Sequence, residues 1–247
     1  MVAVPEINIA SSLTDRDPLT DTTPTPPQGA GPRRIQAVVA LKLLEVMRDM
    51  DLPAELLEDE DPTQTIPRRF GLSDVVSRQI RLYKADARKR VRLNDEEMRG
   101  LFRFVIRRPD GPKVFHQVGR LLANADRSRR WIRLLPVDLQ FRMARSRARR
   151  TLKRLFGRYV GGFGRGPFVI EGRSLLFIQS DPGGDTCFLL SGLAEEILEQ
   201  TLGGTARIVH TLCQGRGDDL CRWEGELVEA AATVAESFES SKEEVCS

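Results

Sequence analysis

The sequence predicts an α+β fold, in which several helices precede an antiparallel sheet that carries one packed helix. Three observations predict it. Apolar residues recur at helical spacing from residue 34 to residue 159, short apolar runs bounded by glycine follow residue 166, and one apolar helix lies among those runs. With 247 residues, 40% of them hydrophobic, the chain is long enough to bury a sizeable core.

The first part of the chain is predicted to contain a leader and a helical extension. Residues 1–32 are rich in Thr, Pro, Asp and Gly, and we expect a disordered leader because such a composition buries too little apolar surface. Residues 33–109 are expected to form a helical extension. Its first helix ends near Asp49, its second follows Ser73 as N-cap, and its third begins at Asn94.

The remaining elements complete the predicted order. Helices are expected over residues 112–125 and 139–159, and strands over residues 168–170 and 175–179, with a hairpin turn at residues 171–173. A helix over residues 187–202, closed by Gly203, is followed by strands over residues 206–211 and 220–227. Residues 229–247 read as an acidic tail.

The distribution of charge offers one alternative function. The net charge of +3 does not by itself predict a nucleic-acid partner, but basic residues crowd the helix predicted at 139–159. These are Arg142, Arg145, Arg147, Arg149, Arg150, Lys153 and Arg154. This helix would bind nucleic acid, an anionic membrane or an acidic protein partner, or else it is simply a solvated face. Because no aromatic residues interleave the arginines, nucleic acid is not the expected partner.

The sequence also predicts a cytoplasmic protein. It contains no run of 18 apolar residues, so no membrane-spanning helix is expected, and its N-terminus lacks the basic start and apolar core of a secretory signal. Thiols stay reduced in the cytoplasm, where cysteines serve in metal binding or redox chemistry more often than in disulfides.

Four residues with metal-ligating side chains are concentrated near the C-terminus. Cys187, His210, Cys213 and Cys221 lie within 35 residues and include three of the four cysteines and one of the two histidines. Cys187 begins the last predicted helix, while the other three flank the turn of a predicted hairpin. Three thiolates and an imidazole form a closed tetrahedral set, typical of structural zinc. Buried free cysteines and a Cys213–Cys221 disulfide remain alternatives on spacing alone.

The segment of residues 187–228 resembles the end of a V4R (vinyl-4-reductase) domain. It has an apolar helix, a Gly turn, a strand ending near Cys213, a Gly-rich turn with Gly217-Asp218, and then Cys221 followed by Trp223. The resemblance extends over roughly residues 110–228. In V4R sensor domains zinc is held at the same four spacings, with a carboxylate at the position of His210. The resemblance therefore implies structural zinc in this chain.

The resemblance also implies a binding protein for a small hydrophobic or aromatic ligand. V4R domains, sometimes called hydrocarbon-binding domains, hold such ligands in an apolar pocket between helices and sheet. Candidate wall residues are Trp131, Leu135, Phe163, Phe168 and Phe177, and His116 is a candidate hydrogen-bonding residue. The alternatives are ordinary core residues and, for His116, a surface residue. One family branch is linked to bacteriochlorophyll synthesis, which makes a tetrapyrrole accessory protein a further alternative.

Enzymatic activity is not expected. The sequence contains no Gly-x4-Gly-Lys-Ser/Thr motif, and its glycines at 162, 164 and 166 do not open a helix after a strand. With His210 assigned to the metal, His116 alone remains for acid–base chemistry. We expect a bacterial-type ligand sensor or carrier that acts through a homodimer or an acidic protein partner.

Overall fold

A computed structural model gives the positions of the helices and strands and describes residues 32–51, 74–124, 132, 134–157, 162–173, 181 and 183–228. The helices are α1 (Ala37–Asp51), α2 (Asp74–Arg88), α3 (Asp95–Ile106), α4 (Gly111–Asn124), α5 (Val137–Phe156) and α6 (Phe188–Leu202). The strands are β1 (Arg33–Gln36), β2 (Arg92–Asn94), β3 (Gly162–Phe163), β4 (Val169–Gly172), β5 (Thr205–Leu212) and β6 (Cys221–Val228). Short 3₁₀ turns cover Asp185–Cys187 and Gln214–Arg216. The predicted α+β class is confirmed.

Local signals explain where individual helices begin and end. The side chain of Asn94 accepts a hydrogen bond of 2.7 Å from the backbone N–H of Glu97, so α3 begins where predicted, with Asn94 as its N-cap. Gly203 ends α6 with a φ of +84°, a left-handed conformation that glycine adopts without steric cost. Both boundaries agree with the sequence prediction.

Helices α4 and α6 form the closest contact in the described core. A Cβ atom on Gly119 of α4 would lie 2.1 Å from the carbonyl oxygen of Leu189, and one on Gly192 of α6 would lie 2.1 Å from the carbonyl oxygen of His116. The two backbones therefore touch at reciprocal glycines. The pair anchors a buried cluster that extends from Ile35 to Trp223 and also includes residues of α1, which packs against α4.

The larger sheet has the antiparallel order β3-β4-β6-β5. Ala206, Cys221 and Trp223 are buried on the face toward α6, whereas Glu224 and Glu226 are exposed on the other face. Along this inner face Gly225 is packed tightly, because a Cβ atom there would lie 2.6 Å from a Leu198 methyl group and 2.8 Å from the Phe168 ring.

Two features differ from the sequence prediction. Residues Glu171 and Gly172, predicted as a hairpin turn, lie in β4 and pair with Arg222 and Cys221 of β6. Strands β1 and β2 form a small antiparallel sheet that was not predicted. Both reflect pairing with distant residues, which a short segment of three or four residues does not reveal in its own pattern.

Several predictions concern parts of the chain outside the described residues. They are the leader, apart from Pro32, the N-cap at Ser73, the strand at 175–179, the end of the basic helix beyond residue 157, and the acidic tail at 229–247. The domain boundary near residue 110 stays a prediction. Within the described residues, no helix is both long and apolar enough to cross a membrane.

Candidate metal centre

The four predicted ligands come together at one end of the sheet. Cys187 closes the 3₁₀ turn before α6, His210 lies near the end of β5, Cys213 follows that strand, and Cys221 is the first residue of β6. One ligand atom from each, three sulfurs and an imidazole nitrogen, all lie within 4.8 Å of one another. The prediction that these side chains form one cluster is confirmed, and the cluster can hold a metal ion.

The separation of the sulfurs fits a single tetrahedral ion. Cys187 Sγ and Cys221 Sγ are 3.9 Å apart, and bonds of about 2.3 Å at tetrahedral angles separate two sulfurs by ~3.8 Å. The thiols of Cys187, Cys213 and Cys221 are free, so the alternative Cys213–Cys221 disulfide is not formed. An iron–sulfur cluster would spread the ligands wider, because sulfides and further irons lie between them.

Burial supports a metal ligand at each position. The three cysteines are fully buried. His210 stacks on Trp223 with ring centroids 4.8 Å apart and planes 9° apart, and its Nε2 is buried with no hydrogen-bond partner among the described residues. An unsatisfied buried nitrogen is costly unless an ion or another group binds it.

The two neighbouring thiols have pKa values displaced in opposite directions. The hydrogen bond from the Cys187 thiol lowers the pKa of Cys221 to about 5 against the opposing effect of burial, and the neighbouring His210 ring adds to the lowering. The hydrogen bond to Cys221 and burial raise the pKa of Cys187. The surroundings of Cys221 therefore favour its thiolate, the form of cysteine that binds metals.

A β-bulge explains how His210 and Cys213 share one side of the sheet. His210 pairs with Trp223 and Leu212 pairs with Arg222, so the register shifts between His210 and Leu212. A bulge adds one residue to its strand, and residues three apart then face the same side. The spacing of two residues between His210 and Cys213 requires this irregularity.

The turn between Cys213 and Cys221 is held by its own backbone. The N–H groups of Arg216 and Asp218 donate to the carbonyl oxygen of Cys213, at 2.9 and 3.2 Å. The Asp218 carboxylate accepts a bond of 2.6 Å from the N–H of Cys213, and the N–H of Gln214 donates to Cys221 Sγ at 3.2 Å. These bonds fix the turn that carries Cys213 and Cys221.

Asp181 organises the loop that leads to Cys187. Its carboxylate is 1% exposed and accepts bonds from the N–H groups of Gly183 at 3.0 Å, Gly184 at 3.0 Å and Thr186 at 2.6 Å, and from the Thr186 hydroxyl at 2.9 Å. The sequence prediction treated residues 181–185 only as a loop. The sequence signal for this loop is an Asp followed within three residues by two glycines, with a Thr five residues after the Asp.

Gly184 allows the loop to lie against the cluster. Its φ is +83°, and a Cβ atom there would lie 2.7 Å from Cys213 Sγ. A side chain at this position would be strained and would displace a ligand sulfur.

Of the predicted ligand-pocket residues, Phe163 and Phe168 are in contact in the described part of the chain. Phe168 is buried in the core, and Phe163, half-buried, meets it edge-on with ring centroids 6.1 Å apart. Phe163 also lines an open concavity of about 540 Å³, whose other walls include Glu171, Arg222 and Glu224. Leu135 is half-buried. The remaining two wall residues, at positions 131 and 177, lie outside the described residues, and the pocket stays a prediction.

His116 lies in a group of charged side chains between α4 and α6. Its Nε2 is 3.4 Å from the Glu195 carboxylate, and the neighbouring Arg120 forms ion pairs of 2.7 Å with Glu195, Glu196 and Glu199. The His116 side chain is one-third exposed. His116 therefore links α4 to α6 at the surface, in agreement with its interpretation as a surface residue.

Comparison with known proteins adds no assignment. No family model matches the sequence, and no curated protein or solved structure matches the chain at a significant level.

Proposed function

We propose that this chain is a non-catalytic V4R-type protein that binds a small hydrophobic or aromatic ligand and is held together by structural zinc. The observation that carries the proposal is the convergence of Cys187, His210, Cys213 and Cys221, with all four ligand atoms within 4.8 Å. The V4R resemblance supplies the ligand class. Reduced thiols at the centre accord with a cytoplasmic location.

The donor set favours zinc over other divalent ions. Calcium and magnesium prefer oxygen ligands, whereas three thiolates and an imidazole suit zinc in a tetrahedral arrangement. The set is complete, so it leaves no position for a catalytic water, and the three cysteines are fully buried. Both features support a structural role.

Zinc would join parts of the chain that are distant in sequence. Cys187 lies at the start of α6, and Cys221 lies 34 residues later at the start of β6. The apparent binding free energy of structural zinc is on the order of 10 kcal/mol, comparable to the whole stability of a domain. Loss of the ion would therefore release the N-terminus of α6 from the sheet.

Metal analysis by mass spectrometry tests the zinc proposal. Purified wild-type protein should contain one zinc per chain, and Cys213→Ser should lose it and unfold at lower temperature. Cys246→Ser removes a thiol outside the four-ligand set and serves as the matched control. His210→Glu should retain zinc, because a carboxylate is also a ligand, whereas His210→Ala should weaken binding. Full zinc content in Cys213→Ser would refute the assignment.

The ligand proposal is tested separately by thermal shift. The residue chosen for the test is Phe163 of β3, whose half-buried ring lies edge-on to Phe168. Phenols and porphyrins are the probes, because a ligand that binds the folded state raises its melting temperature by mass action. Phe163→Ala should abolish the shift, and Phe104→Ala, exposed on α3, should not. A zinc-loaded protein that no probe stabilises would overturn the ligand class alone.

A further inference from the structure

Helix α5 carries an unusual concentration of positive charge. Its 20 residues include seven Arg or Lys side chains and a single acidic one, Asp138. Arg147 is buried and bonds to Gln200 and to the Ala123 carbonyl, so it belongs to the core. Five others form what we call the basic ridge: Arg142, Arg145, Arg149, Arg150 and Lys153. Arg145 is half-buried and the other four are exposed.

The basic ridge is not neutralised by the rest of the fold. None of its five side chains forms an ion pair with a described residue; Arg145 and Arg150 bond only to the backbone carbonyls of Gly166 and Ser146. Arg120, by contrast, pairs with three glutamates on α6. The ridge spans 12 residues of the helix, from Arg142 to Lys153, or ~16 Å at a rise of 1.5 Å per residue.

An apolar group lies at the start of the same helix. Leu134 is 87% exposed and Leu139 41%. Leu139 is three positions before Arg142, which places it on the face of the basic ridge, whereas Val137 is two positions before Leu139 and faces away. We call Leu134 and Leu139 the apolar knob. Exposed apolar side chains beside a polar rim are typical of interaction sites.

The loop after β3 extends the positive surface. Arg145 donates to the carbonyl oxygen of Gly166 at 3.3 Å, which brings this loop beside α5. Its exposed Arg165 is next to Gly166 in the chain. The unneutralised cations are therefore not confined to the helix.

We propose that α5 docks on an anionic lipid surface, with the basic ridge among the head groups and the apolar knob inserted beneath them. Basic side chains beside exposed aliphatic ones are the combination that binds at a membrane interface. Nucleic acid would use the charges but not the knob, and the ridge has no aromatic side chain on which bases could stack. Docking of this kind is peripheral and requires no spanning helix.

Vesicle sedimentation with the full-length protein tests the proposal. Vesicles of phosphatidylcholine mixed with phosphatidylserine should bind the protein, and vesicles of phosphatidylcholine alone should bind it far more weakly. Each cation near an anionic surface contributes about fivefold in affinity. The ridge variant should therefore lose at least about a hundredfold; its substitutions are Arg142→Gln, Arg149→Gln, Arg150→Gln and Lys153→Gln. The knob variant Leu134→Ser/Leu139→Ser should lose about tenfold, and high salt should leave that loss unchanged.

A control of equal charge uses exposed cations on α2. Its substitutions are Arg78→Gln, Arg81→Gln, Lys84→Gln and Arg88→Gln. The control should bind vesicles within about threefold of the wild type, and circular dichroism and thermal melting should show that every variant folds. Equal losses in the control and ridge variants, or equal binding to neutral and anionic vesicles, would overturn the proposal. Failure to bind vesicles together with binding to duplex DNA or to poly-glutamate would assign the ridge to nucleic acid or to an acidic protein instead.

Discussion

Replacement of Gly184 by alanine should weaken metal binding without removing a ligand. The new Cβ atom would lie 2.7 Å from Cys213 Sγ, about 1 Å closer than a normal carbon–sulfur contact. A metal ligand displaced by more than about 0.5 Å no longer meets the geometry of the site. We expect zinc affinity to fall about 10- to 100-fold, as it does when groups that orient ligands are altered.

Gly184→Ala also strains the backbone, and a control variant can separate this loss of stability from the effect on zinc affinity. Gly184 has a φ of +83°, a conformation that costs an alanine about 1–2 kcal/mol. Gly203 at the end of α6 has the same backbone conformation, with φ and ψ of +84° and 9° against +83° and 13° at Gly184, and it is exposed. Gly203→Ala should therefore lose about the same stability and leave zinc affinity unchanged. Gly204→Ala, which meets nothing within 4 Å, should change neither.

A competition titration against a chromophoric zinc chelator measures affinity, and denaturant unfolding of the metal-loaded protein measures stability. The reasoning requires Gly184→Ala to bind zinc more weakly than Gly203→Ala at similar backbone strain. Equal affinities in these two variants would show that Gly184 does not control the position of Cys213.

Three further predictions concern the loop, the core and the surface. Asp181→Asn should destabilise the protein by about 2–3 kcal/mol in denaturant unfolding. The carboxylate accepts hydrogen bonds from N–H and O–H groups on both oxygens, and the NH₂ group of asparagine would face some of these donors instead. An unchanged unfolding midpoint would contradict the role of Asp181 in the loop. Gly119→Ala should prevent stable packing of α4 on α6, with a loss above about 4 kcal/mol, since its Cβ atom would lie 2.1 Å from a carbonyl oxygen of α6. Gly100→Ala, in open space on α3, should instead stabilise by about 0.5–1 kcal/mol, and thermal melting distinguishes the two. The ion pair with Arg108 lowers the pKa of Asp110, so its stabilisation exists above the unfolded-state pKa of about 4 and is lost as pH falls through the lower folded-state pKa. Asp110→Asn should accordingly cost about 0.5–1 kcal/mol at neutral pH and nothing near pH 2 in urea titrations; an equal difference at both values would contradict this linkage.

The sequence by itself predicted the features that depend on neighbouring residues. The N-cap at Asn94 and the end of α6 at Gly203 follow from local hydrogen bonding and backbone conformation, which a few adjacent residues determine. The four metal ligands were also predicted, because three thiols and a histidine within 35 residues are a rare concentration. Their interpretation as zinc ligands rested further on the V4R resemblance.

Only the tertiary structure decided how distant segments meet. The pairing of Gly172 with Cys221, the contact of α4 with α6 at Gly119 and Gly192, and the approach of Gly184 to Cys213 each join residues far apart in the chain. The bulge after His210 is a property of paired strands and not of one strand. Periodicity reports which face of a segment is buried, but the partner of that face depends on the packing of the whole chain.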